Sequence, residues 1–278
     1  MTLEKLVDTY SASRDVCASY VDQLHWFVHA LEKTENRILS VADLCAELIN
    51  RHLQSVRDKI APETRKNRRR MFLTLWQAAA DAGLTGEPNR RKVMRIKIPA
   101  KVQRAWTIDQ MRTLLHTSEQ WPGRYPCGIA RSRYWCCYIM AAWDSGLRGC
   151  DLRRIRRDEI ARNGRLVIVQ HKTGRLIRLQ FRPQTLAAIA ESFPPERELV
   201  WPLFGRLATW RREASRLVHA AGLQGTIGRI RHSSGTAVEL KFPGQGHEHL
   251  GNTRAIFERH YLDHQKVAEV RILPDSLV

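Results

Sequence analysis

Residues 250–261 read LGNTRAIFERHY, and Tyr261 closes the stretch nine positions after Asn252. Working back along the chain, GRIRHSS (228–234) contains Arg231, QHKTG (170–174) contains Lys172, and DSGLRGCDL (144–152) contains Arg148. Together these segments hold two guanidinium groups, an ammonium and a phenol. A phosphodiester resists attack because it is anionic and its leaving alkoxide is poor. Catalysis therefore needs fixed positive donors where charge grows in the transition state. Arginine fits that role, because it stays charged and grips two oxygens through a planar fork. A lysine close to the phosphate can give a proton to the leaving oxygen. A phenol can be the nucleophile, but its free pKa of about 10 requires cations that favour the phenolate. None of these roles needs a metal.

The chain has 278 residues, enough for one large or two modest domains. With 43% hydrophobic and 27% charged residues it can bury a core and is not globally disordered. A net charge of +18 points to a polyanionic partner, and nucleic acid is the commonest. A membrane partner is disfavoured, because no run of about 18 apolar residues exists. The first residues, MTLEKLVDTYSASRD, lack the apolar centre of a signal peptide. The expectation is a cytoplasmic, DNA-associated protein. Cys17, Cys45, Cys127, Cys136, Cys137 and Cys150 form no C-x-x-C pair and no zinc-ligand spacing. They read as reduced, mostly core residues.

The first hundred residues read as helical. Tyr20, Leu24, Phe27, Val28 and Leu31 recur at helical spacing. Ser40 reads as the N-cap of a helix with Asp43 in its first turn, and Pro62 opens another that stops near Gly83. Between Arg65 and Arg104 stand twelve Lys or Arg and two acidic residues. Its later part, 86–105, reads as a basic linker that hugs DNA. The domain expectation is thus a helical unit over 1–85, a linker over 86–105 and a second domain over 106–278. Thr107 and Gln110 form a capping box. A hydrophobic helix ends at Gly146. LVIVQHKTGRLIRLQF reads as a hairpin around Lys-Thr-Gly, and further helices follow. The second domain is mainly α with a small β-sheet.

The second half, roughly 105–265, resembles the tyrosine recombinase (phage integrase) family. SGLRG-x-D-L resembles its first arginine box, with Asp151 at the acidic position. KTG in a hairpin resembles its lysine site, RH before a small-residue helix its second arginine box, and LGN followed by Tyr261 its tyrosine box. The basic helical first half resembles the family's core-binding domain. The resemblance implies a two-domain DNA clamp, with an all-α N-terminal core-binding domain and an α+β catalytic domain. It implies that Tyr261 attacks a DNA phosphate and forms a 3′-phosphotyrosine. Arg148 and Arg231 would stabilise the transition state, Lys172 would protonate the leaving oxygen and Asn252 would donate a hydrogen bond. Asp151 and His232 would stand behind them. No metal, cofactor, ATP or small-molecule substrate is implied. The partner is double-stranded DNA, and the assembly is a homotetramer on paired sites. The apolar Val267, Val270, Ile272 and Leu273 fit a tail that docks on a neighbour, with packing on the same chain as the competing reading.

Two positions depart from the family pattern. Gly228 stands where the family usually has histidine, three residues before Arg231, and Asn252 stands where it usually has histidine after LG. His232, His247, His249 and His260 are the histidines near enough in sequence to substitute. Asn252 could instead cap the helix that follows, and Gly228 could serve a turn. Two other functions fit the same kit: a type IB topoisomerase-like swivelase, and a catalytically impaired DNA-binding relative. For DNA contacts, Lys66, Arg68, Arg69 and Arg70 on a helix and Arg90, Arg91, Lys92, Arg95 and Lys97 in the linker are expected to meet phosphates, which positions a protein without reading sequence.

Overall fold

A computed structural model of the chain describes residues 1–99, 102–194 and 196–270, with side chains through Ala268. Two compact units divide it, Met1–Ala100 and Lys101–Val278. No helix is long and apolar enough to cross a membrane among the described residues.

The first unit is helical: α1 (Leu3–Ser13), α2 (Ala18–Glu35), α3 (Ala46–Ser55) and α4 (Pro62–Asp81). Thr2 caps α1 by accepting from the Lys5 N–H, a cap worth about 1 kcal/mol. On α2 the expected stripe is buried: Leu24, Phe27, Val28 and Leu31 are solvent-excluded, and Tyr20 packs against the same core. The helix expected from Ser40 is split. Ser40 and Asp43 close a capping box around a 3-10 turn, Val41–Asp43, and α3 starts three residues later at Ala46. Asp43 draws its carboxylate back onto the Ser40 N–H (2.7 Å) and hydroxyl (2.9 Å), which fixes the start of the turn.

Two expectations are corrected in this unit. Residues 86–99 are not a free linker. Val93 is buried in the core, Met94 and Ile96 pack on it, and Asn50 clasps the segment by donating to Lys92 O and accepting from Met94 N. The other correction concerns Arg68, expected at the DNA but only 6% exposed. It lies in phase with Phe72, Leu75, Trp76 and Ala79 on the core face of α4 and shares a hydrogen bond with His52 Nε2 at 2.8 Å. Its neighbour Arg69 is half-buried and spends its Nε–H on Met94 O.

Among the described residues the second unit is helical apart from one antiparallel pair, β1 (Arg165–Val169) and β2 (Leu176–Gln180), registered Val167 to Arg178 and Ile168 to Ile177, with one face exposed. Helix α5 (Ile108–Glu119) starts from the expected Thr107–Gln110 box. Helix α6 (Arg131–Ser145) is the centre of the core. Tyr134, Trp135, Cys137, Tyr138, Ile139, Ala141 and Ala142 are all buried, so it is apolar on most of its circumference. It ends at Gly146, in the left-handed region at φ 58°. A side chain there would be strained and would also strike Leu250 and His249. After the short α7 (Gly149–Leu152) and the hairpin come α8 (Pro183–Ser192), α9 (Leu207–Ala220), α10 (Arg229–Lys241), α11 (Gly246–His249), α12 (Arg254–His260) and α13 (His264–Val270). The six cysteines are unpaired, as the sequence suggests. Val267 packs on Leu250, Phe257 and Leu262 of its own chain. The side chain of Val270, and Ile272 and Leu273 altogether, lie outside the described residues.

Candidate functional site

Helix α10 buries Ile230, Ser233 and Ser234 against the rest of the unit, and Arg231 goes in with them at 4% exposure. Its guanidinium bridges two chain segments. Nη1 donates to Gly146 O at 2.5 Å and Nη2 to Leu250 O at 2.8 Å. Its Nε is buried without a hydrogen-bond partner among the described residues. Burial pushes the group down to about 10, against the pull of Tyr261, so it stays charged at neutral pH.

Arg148 precedes α7 as its N-cap. Its Nη1 donates to Gln170 Oε1 at 3.0 Å and its Nη2 to Asn252 Oδ1 at 3.4 Å. Asn252 is 7% exposed, and it does not cap the following helix. Thr253 does that, accepting from the Ile256 N–H. With its Oδ1 committed to Arg148, the Asn252 amide is left with Nδ2, a buried donor without a partner among the described residues.

Tyr261 sits at the end of α12, half-buried, with its ring 4.8 Å from the Arg231 guanidinium carbon. Burial alone would raise the phenol's pKa. The charges of Arg231 and Arg148 outweigh it and hold the phenol below its ordinary value. Two anchors fix the segment: Thr236 donates to Tyr261 O at 3.5 Å, and Asp263, two residues on, accepts from Ala105 N at 2.8 Å. The His232 ring lies 4.9 Å from the Tyr261 ring at 44°. Gly228, Arg148, Arg231, His232 and Tyr261 all line one cleft of about 550 Å³. Gly228 itself has an ordinary helical φ of −62°, and a Cβ there would meet nothing nearer than 3.6 Å. Neither a turn nor close packing requires glycine at this position.

Of the other histidines, His249 is structural. Ser234 Oγ gives its proton to Trp143 O (2.6 Å), so its bond to His249 Nε2 (2.7 Å) must be accepted from the ring. His249 is therefore the neutral Nε2–H tautomer, and burial beside Arg231 pushes its pKa down to about 4. It backs the wall behind Arg231 and does not line the cleft.

Lys172 does not line the cleft either; it is exposed at the tip of the β1–β2 turn. The residues around it are tied to the cluster. Asp151 Oδ1 accepts from His171 N at 2.9 Å, so this carboxylate grips the lysine turn, and its Oδ2 is buried without a partner among the described residues. Gln170, which sequence reasoning missed, is solvent-excluded and joins Arg148 to Thr173 and Leu250. Strand parity could have flagged it, because Leu166, Ile168 and Gln170 alternate onto one face. Glycine is required once more at Gly251 (φ 61°), where a Cβ would overlap the Ile177 side chain of the hairpin.

Among the expected DNA contacts, Lys66, Arg70, Arg90, Arg91, Lys92, Arg95 and Lys97 are exposed on the first unit, and Arg68 is not. Arg14, Lys66, Arg69, Arg70 and Arg90 line one groove there.

No protein-family model matches the sequence, and no curated protein matches it in sequence. Solved structures do match in three dimensions. A lambda integrase (75–356) dimer bound to a COC′ core site is similar over 100% of both chains, with TM-score 0.74 at 20% identity. The Tn1549 transposon integrase (aa 82–397), in complex with circular intermediate DNA, is similar over 98% of this chain and 100% of that one, with TM-score 0.70 at 12% identity. The XerH site-specific recombinase on a palindromic difH substrate, a post-cleavage complex, is similar over 96% and 83%, with TM-score 0.69 at 15% identity. The chain thus has the tyrosine recombinase fold that its sequence motifs suggest.

Proposed function

We propose that this chain, which has the fold of DNA-bound integrases and recombinases, is a site-specific DNA recombinase that works through a 3′-phosphotyrosine. The observation that carries the reading is the phenol of Tyr261, held over Arg231 in a cleft shared with Arg148, with the two cations depressing its pKa. Tyr261 Oη attacks phosphorus as the bond from phosphorus to the 5′ oxygen breaks. The leaving oxygen takes a proton from Lys172, and the phenolic proton passes to solvent or a neighbouring base. The freed 5′ hydroxyl of the same or another strand reverses the step, so the bond energy is conserved and ATP is not consumed. Arg148 and Arg231 stabilise the charge that grows on the non-bridging oxygens. Asn252 Nδ2 and Arg231 Nε, buried donors without partners among the described residues, are suited to an anion. Double-stranded DNA is the partner, and a homotetramer on two sites is the assembly proposed for strand exchange.

The test uses a pool of nicked duplexes of random sequence. Incubation with the protein followed by denaturing electrophoresis should capture a covalent adduct whose DNA reveals a preferred site. Tyr261→Phe should abolish it. No adduct from any duplex would leave DNA binding without catalysis. Relaxation of supercoiled plasmid without paired sites would move the assignment to a swivelase.

A further inference from the structure

We propose that Gln170 is a positioning residue: its side-chain amide locks the Arg148 guanidinium, the turn that bears Lys172 and the loop that bears Asn252 into one frame. The chemistry it serves rests on the recombinase reading. The amide is completely excluded from solvent. Oε1 accepts two bonds, from Arg148 Nη1 at 3.0 Å and from Thr173 Oγ1 at 2.8 Å. Nε2 donates to Leu250 O at 3.1 Å, the same carbonyl that receives Arg231 Nη2. The backbone of Gln170 closes the lysine turn as well: its carbonyl accepts from Gly174 N at 2.9 Å, and its N–H donates to Arg175 O at 2.8 Å. One residue therefore touches three of the four segments that hold the reactive groups and shares an acceptor with the fourth.

The requirement is for an amide of this length. A carboxylate would keep the two accepted bonds but could not donate to Leu250 O, and its charge would neutralise Arg148. Asparagine is one methylene short. Methionine fills the volume but supplies neither the oxygen that accepts from Arg148 Nη1 and the Thr173 hydroxyl nor the N–H that reaches Leu250 O, leaving those groups to drift. Because Lys172 is exposed at the turn tip, its turn is joined to the arginine segments through side chains, the Thr173 tether to Gln170 and the Asp151 grip on His171 N. Displacing a reacting group by about 1 Å can cost a hundredfold in rate.

Two variants and two readouts test this. Gln170→Met should slow adduct formation about a hundredfold on the duplex captured from the random pool. It should also shift the Tyr261 titration, followed by phenolate absorbance as wild type minus Tyr261→Phe, upward toward about 10 as Arg148 is released. Thr173→Val cuts only the tether to the lysine turn. It should cost about tenfold on ordinary DNA. On the same duplex with sulfur replacing the leaving 5′ oxygen it should cost nothing, since a thiolate leaves without a proton. The Tyr261 titration should stay in place. A core filler would change the melting temperature alone. The proposal is overturned if Gln170→Met leaves both the titration and the adduct rate within about twofold of wild type. If Gln170→Met does not fold, Thr173→Val decides, and full activity on oxygen-bearing DNA overturns the proposal. If wild type gives no adduct at all, the recombinase reading fails, and the titration by itself decides whether Gln170 places Arg148.

Discussion

Arg68 in the first unit and Arg231 in the second are near twins by burial. They are 6% and 4% exposed, each lies on a helix face that points into a core, and each has an Nε without a hydrogen-bond partner among the described residues. Each guanidinium also sits against an aromatic ring, Trp26 at 4.7 Å and Tyr261 at 4.8 Å. What surrounds them differs. Arg68 Nη1 shares a bond with His52 Nε2, and His52 Nδ1 shares one with Thr34, so this chain of groups stays within the helical unit and ends at the exposed Thr34 hydroxyl. Arg231 ties two loops together, keeps a second arginine nearby and faces a ring whose hydroxyl can ionise. A buried arginine over an aromatic ring is therefore not a site in itself. The partner must be able to change its charge, and a cleft must admit the substrate.

The sharpest way to break that contrast is conservative substitution at both positions. Arg231→Lys should lower the rate of covalent adduct formation about a thousandfold, because a point charge cannot hold two carbonyls and a phosphate as the fork does. Arg68→Lys should lower the melting temperature and leave the adduct rate of the folded protein unchanged. Equal losses of rate would mean that the first unit's arginine serves the chemistry too.

Acid should separate the two regions less, since each contains a neutral histidine. Burial and the Arg68 charge push His52 down to about 4, and burial beside Arg231 does the same to His249. A depressed histidine stabilises the fold fully above its unfolded pKa of about 6.5, and that stability is lost as pH falls from there through about 4. For solvent-excluded His52 the full loss is about 3 kcal/mol. Denaturant unfolding at pH 7 and at pH 4.5 should therefore differ by a few kcal/mol, and His52→Gln should remove part of the difference. A flat profile would show that the His52–Arg68 pair is solvated.

The smallest expected effect is a gain. Gly228 has ordinary helical geometry and open space beside the cleft, so Gly228→His should fold normally and raise the adduct rate by about tenfold or less. Unchanged activity would indicate that a group already present, such as His232 against the Tyr261 ring, fills the place that the family gives to a histidine.

Much of the fold was legible because its signals are local. The Thr107–Gln110 box, the glycine after α6 and the Lys-Thr-Gly turn each depend on a few neighbouring residues. Arg148, Arg231 and Tyr261 were legible from order and spacing, although the contacts among them span much of the unit. Gln170 escaped because its burial depends on the LGN loop folding over the hairpin some 80 residues later. Arg68 was misread because a count of charges ignores phase; four residues before Phe72 and seven before Leu75, it faces inward. Val93 was hidden among basic residues, where one apolar side chain carries no periodicity.

The grip of Asp263 on Ala105 reaches beyond stability. The peptide it holds lies where the polypeptide comes into the second unit, next to Trp106, whose own N–H is held by Ser233. Tyr261 stands two residues away from that carboxylate. Loss of that one carboxylate would therefore free the entry to the second unit and the segment that carries the phenol together.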